Sequence, residues 1–442
     1  MMYWFGRKGR VMSRHILLTV FLTVPIACAV EPPTPDPQHP VDFAGWLERE
    51  YTSDLHENAA GLYRQADAAF RKADGPMVLM KWRDLCAPDK DNSRTKLTQW
   101  LRDNPEVLDK FTIAATKEGC YFEQKFRDGF LVSGEMVDYP DMYRLAQAIA
   151  LRGEFRLVSG NIEGALEDVL SLLGAARHLE SQPSLMCYGT ALRTRKVAYS
   201  LLMKFPARAP RADFAALLAR VEKSDPGPPR PTRQLTIRRV VTWDSAQRVL
   251  KPYGDGRYVT EGYRHYMDER GFGRRGEYGI IFGPETWENV LSGINEYFDA
   301  LDKVARMDYP AGLDAAAELF EQAKASANNF VSNARNNGLV IRQHAQALAH
   351  YRGTMLLLQL HTYRATHGRW PPDLDAFCSD PNSPLRIDPF SGRPFIYAVD
   401  KGEPRLYSVS ENRTDDGGVV APDVVPQRWK DRGDFVFWPP AD

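Results

Sequence analysis

The chain has 442 residues, 43% hydrophobic and 26% charged, a composition that suits soluble globular domains and a length that allows two or three of them. Its 57 Lys and Arg balance 57 Asp and Glu, so no global field favours nucleic acid or an anionic membrane surface. Nucleic-acid binding is excluded as the default reading.

Residues 1–29 read as an export signal rather than as fold. Arg7, Lys8, Arg10 and Arg14 form a basic start, and Ile16 to Val30 form an apolar stretch too short for a comfortable membrane span. Ala27-Cys28-Ala29 supplies a small-x-small cleavage site. Cys28 raises lipid attachment as an alternative, against which Pro25 stands where such sites usually carry an aliphatic residue. Periplasmic or envelope localisation is the expectation, with membrane attachment only through a lipidated Cys28. Residues 30–41 follow as a Pro-rich spacer that cannot continue a helix. The remaining Cys86, Cys120, Cys187 and Cys378 allow three disulfide pairings or serve as structural thiols, and no Cys-x-x-Cys or His-rich spacing points to zinc.

From 42 to 336 the pattern is helical. Leu55, Ala59, Leu62, Tyr63, Ala66 and Phe70 recur at three- and four-residue intervals, which gives one buried stripe. Tyr143 to Glu180 reads as a helical hairpin, with Gly160 as the left-handed cap of its first helix and Asn161 capping the second. The hairpin looks like a tetratricopeptide unit, but no second copy at the expected period is evident, so an irregular bundle is the alternative. Further helices are predicted over Leu185 to Phe205 and Phe214 to Lys223. Asp225-Pro226-Gly227-Pro228-Pro229-Arg230-Pro231 breaks the pattern. Helix resumes over Thr232 to Leu250. Tyr253 to Gly283 reads as a long exposed Gly- and Arg-rich excursion, and helix returns over Glu285 to Arg306 and Gly312 to Asn336.

Few of the motifs carry chemistry. Gly271-Phe272-Gly273-Arg274-Arg275-Gly276 has dinucleotide-loop spacing, but no strand precedes it and no amphipathic helix follows, so cofactor binding is rejected. His344 and His350, like His361 and His367, lie six residues apart and do not share a helix face. There is no His-Glu-x-x-His and no Gly-x-Ser-x-Gly. No catalytic residue is assigned.

Residues 337–442 form a separate module in the pattern. Met355 to Leu358 are apolar around the whole helix, which predicts burial against both the helical domain and a small sheet. His367-Gly368 ends that helix. Asp388 to Pro394 is a turn, Phe395 to Val399 and Arg405 to Val409 form a hairpin, and Asp434 to Trp438 closes the sheet. Tyr407 and Phe437 are both expected to pack around Leu357.

Tyr363, Gly368, Trp370, Pro371, Asp388, Pro389, Phe390, Gly392, Leu406, Tyr407 and Ser408 fall where the globular half of a type II secretion major pseudopilin carries its shared residues. The module, about a quarter of the chain, resembles that family. The arrangement of helical part plus module is similar to large families of exported bacterial proteins. The chain lacks the family's processed Gly and following membrane helix, so the usual polymerisation is not expected. The resemblance implies a calcium loop, for which Asn412, Asp415, Asp416 and Asp434 are the ligand candidates. A plain turn built on Asp-Asp-Gly-Gly is the alternative.

The expected class is α+β: a large all-α domain of tetratricopeptide-like or bundle type, then a long helix and a small antiparallel sheet of pseudopilin type. The expected role is non-catalytic, with the helical domain binding a protein or envelope component. The alternative is a carboxylate-dependent hydrolase of polysaccharide or cell wall acting between the two parts. Convergent carboxylates in a deep pocket would favour the enzyme, and a shallow helical groove the binder.

Overall fold

The computed structural model describes residues 31–52, 55–75, 98–126, 129–136, 139–260, 285–378, 380, 383–420, 429 and 433–438. The signal-like N-terminus, Cys86 and the Gly271 to Gly276 motif lie outside these residues. The protein is mostly helical with small antiparallel sheets, broadly α+β. Among the described residues no helix is long and apolar enough to cross a membrane.

The first helices are α1 (Phe43–Thr52), α2 (Ala60–Lys72) and α3 (Pro105–Ala115), followed by two short paired strands, β1 (Gln124–Lys125) and β2 (Glu135–Met136). The predicted hairpin is α4 (Met142–Val158) and α5 (Ile162–Glu180). Gly160 sits at φ +81°, and the Asn161 side chain accepts from the Gly164 N–H at 2.9 Å. Helix α6 (Leu185–Leu202) packs beside this pair, and α7 (Phe214–Ser224) completes the first core with α2 to α6.

The Pro-rich break is a buried strap. Asp225, Gly227 and Pro228 are buried, Tyr188 donates its hydroxyl proton to the Pro229 carbonyl, and the His344 imidazole meets the Pro228 carbonyl at 3.1 Å. Beyond it, α8 (Thr232–Val249) leads into a hairpin of β3 (Leu250–Gly254) and β4 (Arg257–Thr260), with β5 (Glu285–Thr286) pairing to β4. The start of the predicted loop excursion is therefore strand. Asp255 and Gly256, both at positive φ, supply the tight reversal. Helices α9 (Trp287–Arg306), α10 (Ala311–Lys324) and α11 (Asn329–Ala334) then build a second core with α1 and α8.

Helix α12 (Leu339–His367) runs through all three cores of the molecule. Val340, Ile341 and Ala347 belong to the second core, and Met355 and Leu358 to the first. Leu356, Leu357 and Leu360 belong to the third, beneath the sheet. The all-round apolar run thus has the double burial expected of it. Gly368 at φ +68° caps the helix.

The third core is closed by β6 (Ile396–Asp400), β7 (Glu403–Ser408) and β8 (Phe435–Trp438), antiparallel in the order β6-β7-β8. Phe437 is fully buried against α12, and a Cβ at Gly353 would collide with its ring. Tyr407 does otherwise than expected. Strand alternation sends Leu406 into the core and Tyr407 to the opposite face, where its hydroxyl donates to Asp415 at 3.0 Å.

Candidate functional site

The four calcium candidates lie on one loop region, but each is engaged in shaping it. Asp415 Oδ1 accepts from the Tyr407 hydroxyl and, at 2.9 Å, from the Gly417 N–H. The Asn412 amide donates to Asp416 at 2.8 Å, and Asp434 accepts from the Gly418 N–H at 2.7 Å. Asp434 Oδ1 is buried without a well-formed hydrogen bond, although the Asp416 N–H works in its favour electrostatically. Burial raises the Asp434 carboxyl, and the charges of Asp416 and Asp415 add to that. Arg413 turns away to pair with Asp314 at 2.7 Å. Among the described residues no three His, Cys, Asp or Glu side chains converge as metal ligands.

The other concentrations of charge are structural. Arg195, 1% exposed, is clamped by Glu180 at 2.5 Å and by Asp225, which also accepts from the Tyr199 hydroxyl at 2.6 Å. Burial works against the guanidinium's charge, but the two carboxylates outweigh it and hold it protonated. Arg152 ties α4 to α5 through Asp168 and to α3 through Asp109. These pairs join neighbouring elements, and none of their residues lines the cleft that opens between α6, α8 and α12. Cys120, Cys187 and Cys378 are buried, and burial pushes the first two up to about 12 and 11. No two of these three described cysteines are joined to each other.

A cleft of about 1130 Å³ opens between α6, α8, the start of α12 and the β1–β2 segment. Its floor is apolar, from Leu131, Leu185, Ile237, Val241 and Val340. Met186 and Leu339 stand at its edges with 78% and 49% of their surface exposed. Arg193 and Arg238 line it, and no Asp, Glu or Lys is among its described lining residues.

Local contacts hold the walls in place. Ser184 caps α6 by accepting from the Cys187 N–H. Arg193 reaches back to Thr190 at 3.1 Å and lies 5.0 Å over the Tyr143 ring, which fixes its stem along the wall. On the opposite side the buried Asp244 of α8 accepts from the Leu131 N–H at 2.7 Å and from Arg248 at 2.7 Å, pinning the segment that supplies Leu131 to the floor.

Gly189 sits inside α6 at the cleft. A Cβ there would meet only the Gln343 side-chain oxygen, at 3.4 Å. Gly153 and Gly174 are different, since neighbouring Leu201 and the Ala115 carbonyl occupy the space a Cβ would need. Glycine inside a helix costs about 1 kcal/mol against alanine. At Gly189 no close packing among the described residues calls for that cost.

None of the cleft residues stands out from the sequence as a binding residue. The available signal is an interior helix glycine flanked by an apolar residue, Met186, on the outward side of the α6 stripe. Compared with known protein families, curated proteins and solved structures, the chain matches none.

Proposed function

We propose that this protein is an exported, non-catalytic binding protein whose helical part holds a partner in the cleft between α6, α8 and α12. The C-terminal module, of pseudopilin type, serves as its structural and docking end. The observation that carries the reading is the chemistry of the lining: an apolar floor with exposed Met186 and Leu339, two arginines, and no carboxylate among the described residues. Hydrolysis of a glycosidic bond needs a pair of carboxyl groups flanking it. The described lining offers none, and the buried acids Glu180, Asp168 and Asp225 are engaged by arginines. Exposed apolar surface next to fixed polar groups is instead the signature of a contact site.

The export half of the proposal rests on the basic-then-apolar start ahead of the Pro-rich spacer. Intact mass of the chain expressed with its own leader tests it, with a product beginning near Val30 or at a lipidated Cys28 expected. The binding half is tested by a photo-crosslinking residue placed at Met186 in the cells that make the protein. A discrete adduct at Met186, absent when the probe replaces the exposed Ile113 on α3, is the expected result. No adduct at Met186, or release of reducing ends from cell-wall or polysaccharide substrates by the purified chain, overturns the reading.

A further inference from the structure

The chain repeatedly uses one device to hold its own extended segments: a side-chain carboxamide that pairs with a backbone. Asn58 donates to the Tyr121 carbonyl and accepts from the Tyr121 N–H, both at 3.0 Å. Gln247 does the same with Val41, at 2.9 and 3.1 Å. Gln182 spans Cys120 and Phe122, donating to one carbonyl at 2.7 Å and accepting from the other residue's N–H at 3.0 Å. A carboxamide carries donor and acceptor side by side, which matches a peptide unit edge to edge.

Three further carboxamides, Asn336, Asn337 and Gln343, line the cleft at the start of α12. Asn337 is 6% exposed, and its Nδ2 is buried without any hydrogen-bond partner. Native structures seldom leave such a donor unmet. Across from these amides stand Arg193 and the open helix surface at Gly189, and beneath them the apolar floor.

We infer that the cleft binds an extended peptide segment of a partner protein, its backbone held by the Asn337 and Gln343 carboxamides. Apolar side chains of that segment enter the floor by Ile237 and Val340, and a carboxylate meets Arg193. This inference rests on the binding function proposed above and adds the ligand class. A glycosidic substrate would need paired carboxyl groups, and the lining holds neither Asp nor Glu among the described residues. A nucleic acid would find two arginines and no lysine there, too sparse a cationic track for a phosphate backbone.

The test is selection from a random heptapeptide library against the full-length chain, followed by fluorescence anisotropy of the selected peptides. Enrichment of aliphatic or aromatic residues beside Asp or Glu is expected. Gly189→Leu, which projects a side chain into the cleft beside Gln343, should weaken binding at least tenfold while leaving the melting temperature at or above that of the parent. Arg193→Glu should weaken acidic peptides tenfold and, on reselection, enrich Lys or Arg in their place. N-methylation of the central peptide nitrogens should abolish binding, because it removes the N–H that a carboxamide would accept from.

Selected peptides that bind Gly189→Leu as well as the parent, or that tolerate N-methylation, overturn the inference. So does preferential binding of anionic lipid vesicles, of chitohexaose, or of a second copy of the chain by sedimentation. A Met186 adduct combined with no peptide enrichment overturns the ligand class alone. Absence of both removes the binding function as well.

Discussion

Beneath the sheet of the C-terminal module, Phe437, Phe395, Phe435, Trp429 and Phe390 interlock against α12 so closely that Gly353 is the only residue the ring of Phe437 admits there. Towards the start of the same helix, α6 meets α12 over Gly189 through the Gln343 side chain alone, with Asn337 Nδ2 unpaired and Leu339 half exposed. Both regions use a glycine to set the distance between a helix and its neighbour. In the module glycine admits a ring from the same chain, and at the cleft it leaves space that no described side chain other than Gln343 approaches. Closure on one side and opening on the other are different uses of the same missing side chain.

The largest effect should come from breaking the closed side. Phe437→Ala removes a fully buried ring, and such truncations cost about 3–5 kcal/mol. Urea unfolding should show that loss, and no other single substitution proposed for this protein should exceed it. Gly353→Ala should also destabilise, because its Cβ has no room beside the ring. Combining Gly353→Ala with Phe437→Leu should cost less than the sum of the two, and strict additivity would mean that the contact is not what sets the loss.

The next effect is acid sensitivity, and it should be concentrated along α12. Burial lowers His344, His350 and His361 on that helix to about 4, 3 and 4, and lowers His178 of α5 to about 4. Below an ordinary value near 6.5 the unfolded chain takes up these protons while the folded chain does not. Each imidazole therefore contributes stability that is complete above pH 6.5 and is lost as pH falls, up to about 3 kcal/mol by pH 4. Asp388, raised by burial to about 6, acts in the opposite sense: its contribution is present in acid and fades as pH rises through 6. His361→Phe, set among Phe214, Trp370 and Trp438, should flatten the acid limb of a stability–pH curve by about one proton. An unchanged slope would mean that His361 is charged or solvated in the folded state.

The module is largely legible in the sequence because its signals are local. Gly368 at the helix end, the Asp388 turn and the strand alternation each operate within a few residues, and the elements appear at the predicted places. The second role of Asp388 is not legible: its carboxylate accepts from Phe390 N–H, Ser408 Oγ and Val409 N–H, locking the turn to β7. Sequence reasoning puts Tyr407 on the wrong face because it sets the strand's phase by the aromatic residue rather than by Leu406. The cleft is invisible for a stronger reason. Leu131, Gly189, Ile237 and Asn337 are far apart in the chain and meet only through the buried strap at Asp225 to Pro231 and the pinning of Leu131 by Asp244.

A smaller effect belongs to the loop that packs over Tyr407. Tyr407→Phe removes one hydrogen bond to Asp415, worth about 0.5–1.5 kcal/mol. Because the loop's carboxylates are engaged in turn formation, millimolar calcium is expected to leave the melting temperature unchanged in both parent and variant. A calcium-dependent rise in the parent would assign Asp434 Oδ1 as a ligand and reopen the loop as a metal site.

The smallest effect runs in the favourable direction and tests the open side. Gly189→Ala should stabilise the protein by up to about 1 kcal/mol, since alanine is the better helix former and its Cβ meets only the Gln343 oxygen at ordinary contact distance. The same change at Gly174 should destabilise it, because there the Ala115 carbonyl occupies the space. Opposite signs at two glycines of neighbouring helices would separate a glycine required by packing from one that the fold does not need. If Gly189→Ala is neutral or destabilising, α6 and α12 are closer in solution than the cleft requires, and the opening attributed to that glycine closes with them.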